Sequence, residues 1–170
     1  RERGRYSPGA ADTSITANAT VLLSGTRRDL DAYDAAIHAT ERPSAYAVVI
    51  GGGRVGRATS RNLIAAGVDH RVVERLSDRV QDWSRYVIGD ATDPEVLKSA
   101  GIDRADSVAI TTHDDDVNVY LTLYCRRLRP DMPILSRATL EQNVSTLHAA
   151  GADFVLSYVR DLENVIDMAA

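Results

Sequence analysis

The hexapeptide Gly51-Gly52-Gly53-Arg54-Val55-Gly56 is the segment whose residue types and spacing speak most directly of chemistry. It reads GxGxxG, follows the strand-length apolar run Ala45–Ile50 and opens a stretch with helical spacing. In that setting Gly51 permits a tight turn and Gly53 lets the backbone approach a pyrophosphate. Gly56 lets the following helix pack closely on the strand. The helix start then offers free N–H groups and a positive dipole end to an anion. Arg54, inside the loop, is placed to add a phosphate contact. Three spaced glycines alone mean little; the strand before and the helix after give them their meaning.

Glu74 is the second element, 18 residues beyond Gly56 at the end of another apolar strand. A carboxylate there accepts hydrogen bonds from adenosine ribose hydroxyls and repels a 2′-phosphate, which favours NAD or a plain adenine nucleotide over NADP. Arg75 beside it weakens that exclusion. The bland alternative is a surface charge at a strand end. Ligands of open parallel sheets gather at the carboxyl ends of the strands. That rule nominates Gly89-Asp90-Ala91, Thr111-Thr112 and Arg137. Asp90 could hold an adenine edge or be a simple turn aspartate, and the pattern leaves both open. Arg137 could reach a phosphate as a charge-assisted donor.

Other titratable groups carry less. His113-Asp114-Asp115-Asp116 resembles a cation cluster, but carboxylates at a helix start more often serve as caps and dipole partners. His38, His70, His113 and His148 lack ligand spacing, so no metal residue is assigned. Cys125 has no CxxC partner, and its neighbours Leu123, Tyr124 and Leu128 suggest a packed helix rather than a nucleophile. A single cysteine fits a reducing compartment. Arg126, Arg127 and Arg129 suit a helix C-terminus or could line an interface.

These residues need a scaffold, and the apolar periodicity supplies one. After Ala45–Ile50 the pattern predicts a helix over Arg54–Ala66 with Gly67 as C-terminal cap. Next come a strand at His70–Glu74, a short helix at Ser77–Trp83 and a strand at Tyr86–Gly89. Asp93-Pro94 starts a helix. Ser107–Thr111 is a strand, Asp114–Arg129 a long helix stopped by Pro130, and Pro133–Ser136 a strand. Leu140–Ala150 is a helix ended by Gly151, Phe154–Leu156 a sixth strand, and Asp161–Met168 the start of another helix. Short apolar strands alternating with amphipathic helices predict an α/β fold: a Rossmann-like, doubly wound parallel sheet of about six strands.

Before Pro43 the character differs. Residues 1–14 read as a polar lead-in, Thr20–Ser24 as a short strand ended by Gly25, and Arg28–Ala39 as a helix. Glu41–Ser44 is a boundary, because proline disfavours helix in the residue before it. The chain opens on Arg1-Glu2-Arg3 rather than methionine, which leads us to expect a piece of something longer. A net charge of -4 argues against a broad nucleic-acid footprint. No stretch approaches the ~20 consecutive apolar residues needed to span a bilayer.

The strings VVIGGGRVGR (48–57), GDATDPEVLKSAGIDRADSVAITTHDDDVNV (89–119), CRRLRPDMPILSRAT (125–139) and LHAAGADFVLS (147–157) resemble the N-lobe of an RCK domain, also called KTN or TrkA-N. The segment DTSITANATVLLSGTRRDLDAYDAA (12–36) resembles the end of the TrkA-C lobe that usually follows such a domain. The resemblance implies a division into 1–43, the tail of a preceding lobe plus linker; 44–158, the nucleotide-binding N-lobe; and 159–170, the start of a crossover helix. It implies a ligand-sensing gating module at the cytoplasmic face of the membrane rather than a catalyst, with NAD(H), ADP or ATP bound in the crevice. Calcium, bound by some relatives, is left unassigned.

By the same resemblance, Gly51, Gly53, Arg54, Val55 and Gly56 take phosphate and Glu74 takes ribose. Asp90 and Ala91 take adenine, while Thr111, Thr112 and Arg137 line the rest. The implied partners are further copies, forming dimers and a gating ring, and a membrane pore domain. The CRRLRP and GADFVLSY strings look more like the channel branch than like a TrkA-type uptake subunit. A fragment of an NAD-dependent oxidoreductase is the remaining alternative. It needs a substrate domain and an acid or base near the nicotinamide, for which His113 is the candidate.

Overall fold

The computed structural model describes residue 14, residue 26, residues 28–30, 32–33, 45–80 and 82–157. The chain divides into two compact units, Arg1–Pro43 and Ser44–Ala170. Within the first, residues 28–30 and 32–33 are helical. Thr26 and Asp29 act as a reciprocal cap: Asp29 N donates to Thr26 Oγ1 at 3.3 Å, and Thr26 N donates to Asp29 Oδ2 at 3.3 Å. The expected strand at Thr20–Ser24, the boundary at 41–44 and the helix at Asp161–Met168 lie outside the described residues.

Among its described residues the second unit holds six parallel strands: β1 (Tyr46–Ile50), β2 (Asp69–Glu74), β3 (Tyr86–Ile88), β4 (Ser107–Ile110), β5 (Ile134–Ala138) and β6 (Phe154–Ser157). Their spatial order is β3-β2-β1-β4-β5-β6. The chain therefore runs outward from β1 to one edge, then returns to β4 and runs to the other. That is the doubly wound order expected from the alternation. Helices α1 (Arg54–Ala65), α2 (Pro94–Ser99), α3 (Asp115–Leu128) and α4 (Val144–Ala149) make crossovers between strands.

β1 is buried at all five positions, because a central parallel strand is covered on both faces. Tyr46, Val48 and Ile50 share one core with Leu97 of α2 and with Leu121 and Cys125 of α3. α1 packs on β1 and β2. Under that helix His70 is fully buried, its Nε2 2.7 Å from Ser60 Oγ and its Nδ1 3.2 Å from Val68 O. Cys125 lies in the packed face of α3, where burial pushes its thiol up to about 12. Arg126, at the end of the same helix, bonds Gly151 O, Met132 O and Asp153 Oδ2, the last at 2.6 Å.

Two expected elements differ. Among the described residues of 77–83 the structure forms one 3-10 turn, Ser77–Arg79, rather than an α-helix. Leu76 and Trp83, apolar side chains at the ends of the segment, are exposed rather than anchored in the core. Asp82 also competes locally by accepting from Ser84 N and Ser84 Oγ. Leu140–Ala150 splits into a 3-10 turn at Glu141–Asn143 followed by α4. Asp115 of α3 captures Thr139 N, Leu140 N and Asn143 Nδ2, which fixes the entry to the helix from outside. The fifth strand begins at Ile134 rather than Pro133, and other ends shift by one or two residues.

Candidate functional site

The carboxyl ends of β1 to β5 open on one cavity of about 1180 Å³. Pockets for small ligands usually span roughly 300–1,000 Å³; this one lies just above that range and has room for a ligand as large as a dinucleotide. The cavity straddles β1, the point where the winding reverses. Glu74 and Asp90, after β2 and β3, stand on one side; Thr112 and Arg137, from β4 and β5, stand on the other. Gly51, Gly53, Arg54, Val55, Ala91 and Thr111 also line it. Gly56 does not, being buried beneath the loop. Sequence reasoning did not nominate Arg57, Arg75 or Arg79 as lining residues, yet all three are there. Five arginines against three carboxylates (Glu74, Asp90 and Asp114) face the cavity, although the chain as a whole is acidic. Such a lining concentrates anions.

The three glycines do three different things. Gly51 has φ +98, and its N–H donates to Val73 O at 2.8 Å, which turns the chain sharply off β1. A Cβ on Gly56 would lie 1.8 Å from Gly51 O, so α1 can begin this close to β1 only with glycine there. A Cβ on Gly53 would meet nothing within 4 Å. The fold does not require that glycine; the open space beside it belongs to the cavity. Gly53 is also the N-cap of α1, with no side-chain cap and no acidic residue in the first turn. The first N–H groups of α1 are thus left for a partner from outside the helix.

Glu74 is more committed than a ribose-binding residue needs to be. It is only 6% exposed. Its Oε2 accepts from Gly52 N at 2.7 Å and its Oε1 from Leu76 N at 2.9 Å. Its first task is to hold the glycine loop; each oxygen keeps a second lone pair for a ligand. Arg57 Nη1 donates to Gly52 O at 3.1 Å and holds the same residue from its other side. Thr111 is likewise a clip, its hydroxyl 2.9 Å from both Ile50 O and Gly51 O. Asp90 forms the turn that the pattern had left open. Its Oδ1 accepts from Thr92 N at 2.9 Å and Thr92 Oγ1 at 2.7 Å, and these bonds hold the carboxyl below its usual range.

The far side of the cavity is organised by a residue that sequence reasoning passed over. Asn118 of α3 is fully buried. Its Nδ2 donates to Thr112 O at 3.2 Å and to Arg137 O at 2.9 Å, and its Oδ1 accepts from Thr112 Oγ1 at 2.6 Å. A signal existed: Asp115, Asn118, Thr122 and Cys125 all fall on the buried stripe of α3. Polar side chains at core-facing positions must find partners inside the fold.

The aspartate run divides its labour. Asp114 caps α3 by accepting from Asp116 N and Val117 N, whereas Asp115 clamps the segment entering α4. Among the described residues, no three histidine, cysteine or acidic side chains converge on a metal position. Burial works against ionisation of Asp115, but the bonds from Asn143, Thr139 and Leu140 outweigh it and lower its pKa. Stability linked to this group is therefore complete above its unfolded value of about 3.9 and is lost as pH falls through the lower folded value. Asp115→Asn should cost roughly 1–2 kcal/mol at neutral pH, because an amide presents a donor to one of those donors. Thermal melts from pH 7 to pH 2 should show the gap between parent and variant closing as pH falls below the unfolded carboxylate value. A gap independent of pH would contradict the ionised clamp.

Among the described residues, no helix is long and apolar enough to cross a membrane. The TrkA-N domain family matches residues 47–158. A protein named probable potassium channel protein 2, from Methanocaldococcus jannaschii, is 32% identical over 117 residues, covering 65% of this chain and 34% of its own length. The Trk system potassium uptake protein TrkA homolog of Pyrococcus abyssi is 34% identical over 99 residues, 55% of this chain and 44% of its own. Among solved structures, the GsuK channel bound to NAD superposes with a TM-score of 0.72 at 39% identity, over 84% of this chain and 26% of that one. GsuK bound to ADP gives 0.67 at 40% identity, over 73% and 33%. The chain thus spans less than half the length of each of these four relatives.

Proposed function

The chain belongs to the TrkA-N domain family, and we propose that its cavity is a regulatory site for NAD(H) or an adenine nucleotide within a potassium channel. One observation carries this reading. The uncapped start of α1, with Gly53 leaving space that the fold itself does not use, opens on an arginine-rich cavity of dinucleotide size. The residues fit the ligand class. Gly51, Gly53, Arg54 and Val55 would hold phosphate, and Gly56 would let the loop form. Glu74 would meet the ribose through its remaining lone pairs, with Asp90 and Ala91 at the adenine. Thr112 and Arg137 would face whatever lies beyond the first phosphate, with Thr111 bracing the loop. The relatives named for GsuK bound to NAD and to ADP support both ligand types.

The proposed role is to be read rather than to react. A nucleotide with tenfold different affinity for two arrangements of the domain supplies about 1.4 kcal/mol per site to the equilibrium between them. We assign no catalytic residue. In this reading residues 1–43 are the tail of a preceding TrkA-C-like lobe, copies of the domain pair into dimers and a ring, and the ring lies at the cytoplasmic face below a pore. A TrkA-type subunit of an uptake transporter is the second reading, favoured by the match to the Pyrococcus abyssi protein.

Calorimetric titration with NAD, NADH, NADP, ADP and ATP tests the proposal. At least one adenine nucleotide should bind below millimolar concentration. Gly53→Ser should melt at or above the parent temperature, because serine is a good N-cap. It should nevertheless bind at least tenfold more weakly, because its side chain occupies the phosphate position. Absence of binding by every nucleotide, or unchanged affinity in Gly53→Ser, would remove the basis of the reading.

A further inference from the structure

We propose that Asn118 is a positioning residue that sets the half of the cavity beyond the adenosine phosphate, and so decides whether extended nucleotides are distinguished from AMP. The inference rests on the nucleotide reading above. The cavity has two halves divided by the glycine loop: Glu74 and Asp90 on the β2–β3 side, Thr112 and Arg137 on the β4–β5 side. Each half is held differently. The first is built on bonds to backbone N–H groups from Glu74 and on the turn at Asp90. The second is bridged by a side chain from outside the cavity.

Asn118 reaches both elements of that second half at once. Its amide nitrogen bridges Thr112 O and Arg137 O, and its oxygen takes the Thr112 hydroxyl. Beyond the last paired residues of the ladder, Ile110 and Ser136, one amide group thereby bridges the β4 and β5 ends. Arg137 Nη1 also lies 3.4 Å from Thr112 O, so the same carbonyl is one anchor of its guanidinium. Asn118 itself does not line the cavity and touches no ligand position. Its fully buried amide can make these bonds in one orientation only, since oxygen must face the hydroxyl and nitrogen the two carbonyls. α3 carries both this amide and, three residues earlier, the Asp115 clamp on the entry to α4. The Thr112–Arg137 half is therefore continuous with α3, while the Glu74 half is not bonded to Asn118.

The consequence is a split in affinity. A ligand confined to the loop and the Glu74 side, such as AMP, should not sense Asn118. A ligand reaching Thr112 and Arg137, such as NAD or ATP, should. Titration of the 170-residue chain with AMP, NAD and ATP, before and after Asn118→Ala, tests this. The expected result is AMP affinity within about threefold of the parent, and NAD or ATP affinity reduced tenfold or more.

Asn118→Asp keeps the acceptor for the Thr112 hydroxyl but loses both donors, and should show the same split. In the unaltered protein, the side-chain amide resonances of Asn118 should be protected from exchange and should shift on adding NAD but not AMP. That measurement answers the question even where a variant fails to fold. Equal loss of AMP and NAD, or no loss of either, overturns the positioning role while leaving the nucleotide reading intact. A parent chain that binds none of the three overturns both.

Discussion

Gly56→Ala should abolish nucleotide binding and lower the melting temperature of the chain by about 10 °C or more. The added methyl would lie 1.8 Å from Gly51 O and 2.9 Å from Thr111 Oγ1. Gly51 O is a backbone atom just past the end of a central strand and is already held at 2.9 Å by the Thr111 hydroxyl. Either α1 moves off the sheet or the turn after β1 is rebuilt. Overpacking of a well-filled interior costs typically 1–3 kcal/mol, and a backbone clash this close belongs at or above the upper end. For a domain of this size each kcal/mol moves the midpoint by several degrees. Both ways of relieving the clash displace the N–H groups at the start of α1. Calorimetric melting and an NAD titration measure the two effects together. A variant that melts with the parent and keeps its affinity would mean that the loop is looser than this geometry.

Glu74→Gln should weaken nucleotide binding by about 10²-fold, and should do so through the loop as well as through the ribose. The carboxylate accepts at both oxygens, from Gly52 N and Leu76 N. A glutamine in the same place has one acceptor and one NH₂, so one of those N–H groups faces a donor. Losing a hydrogen bond to a charged group and stranding its buried partner costs about 1.5–3 kcal/mol. That range corresponds to roughly 10- to 100-fold in an equilibrium constant, to which loss of the ribose contact adds. The distinction is measurable. If Glu74 acts only on ribose, tripolyphosphate, which has none, should bind parent and variant alike. If Glu74 holds the loop, tripolyphosphate affinity should fall too, and the amides of Gly52 and Leu76 should exchange faster in the unliganded variant. Unchanged exchange at both amides would return Glu74 to a ribose contact alone.

The difference between these two positions shows what pattern can and cannot convey. Gly56 was legible because a motif states a steric requirement, and a steric requirement is local: Gly51, whose carbonyl it must clear, lies five residues away. Glu74 was legible as a carboxylate at a strand end but not as a loop holder. Its partner Gly52 lies 22 residues away and becomes a neighbour only when β1 and β2 pair. Asp90 was open between a turn and an adenine contact; its bonds to Thr92, two residues on, make the turn, and the adenine role stays part of the proposal. The helix expected at Ser77–Trp83 was misread because periodicity registers which residues are apolar, not whether a surface exists to cover them.

The glycine loop, the alternation of strands and helices, and the set of strand ends that meet at one cavity were determined by the sequence on its own. Each follows from short-range geometry: the freedom of glycine, the period of two or 3.6, and the rule that a parallel sheet collects its loops at one end. Tertiary structure alone decided that Gly53 faces space the fold leaves open, that Glu74 is tied to the loop it adjoins, and that Asn118 joins Thr112 to Arg137. All three depend on which residues distant in the chain become neighbours once the sheet has chosen its order. Glu74 lies 22 residues from Gly52, and Asn118 lies 19 from Arg137.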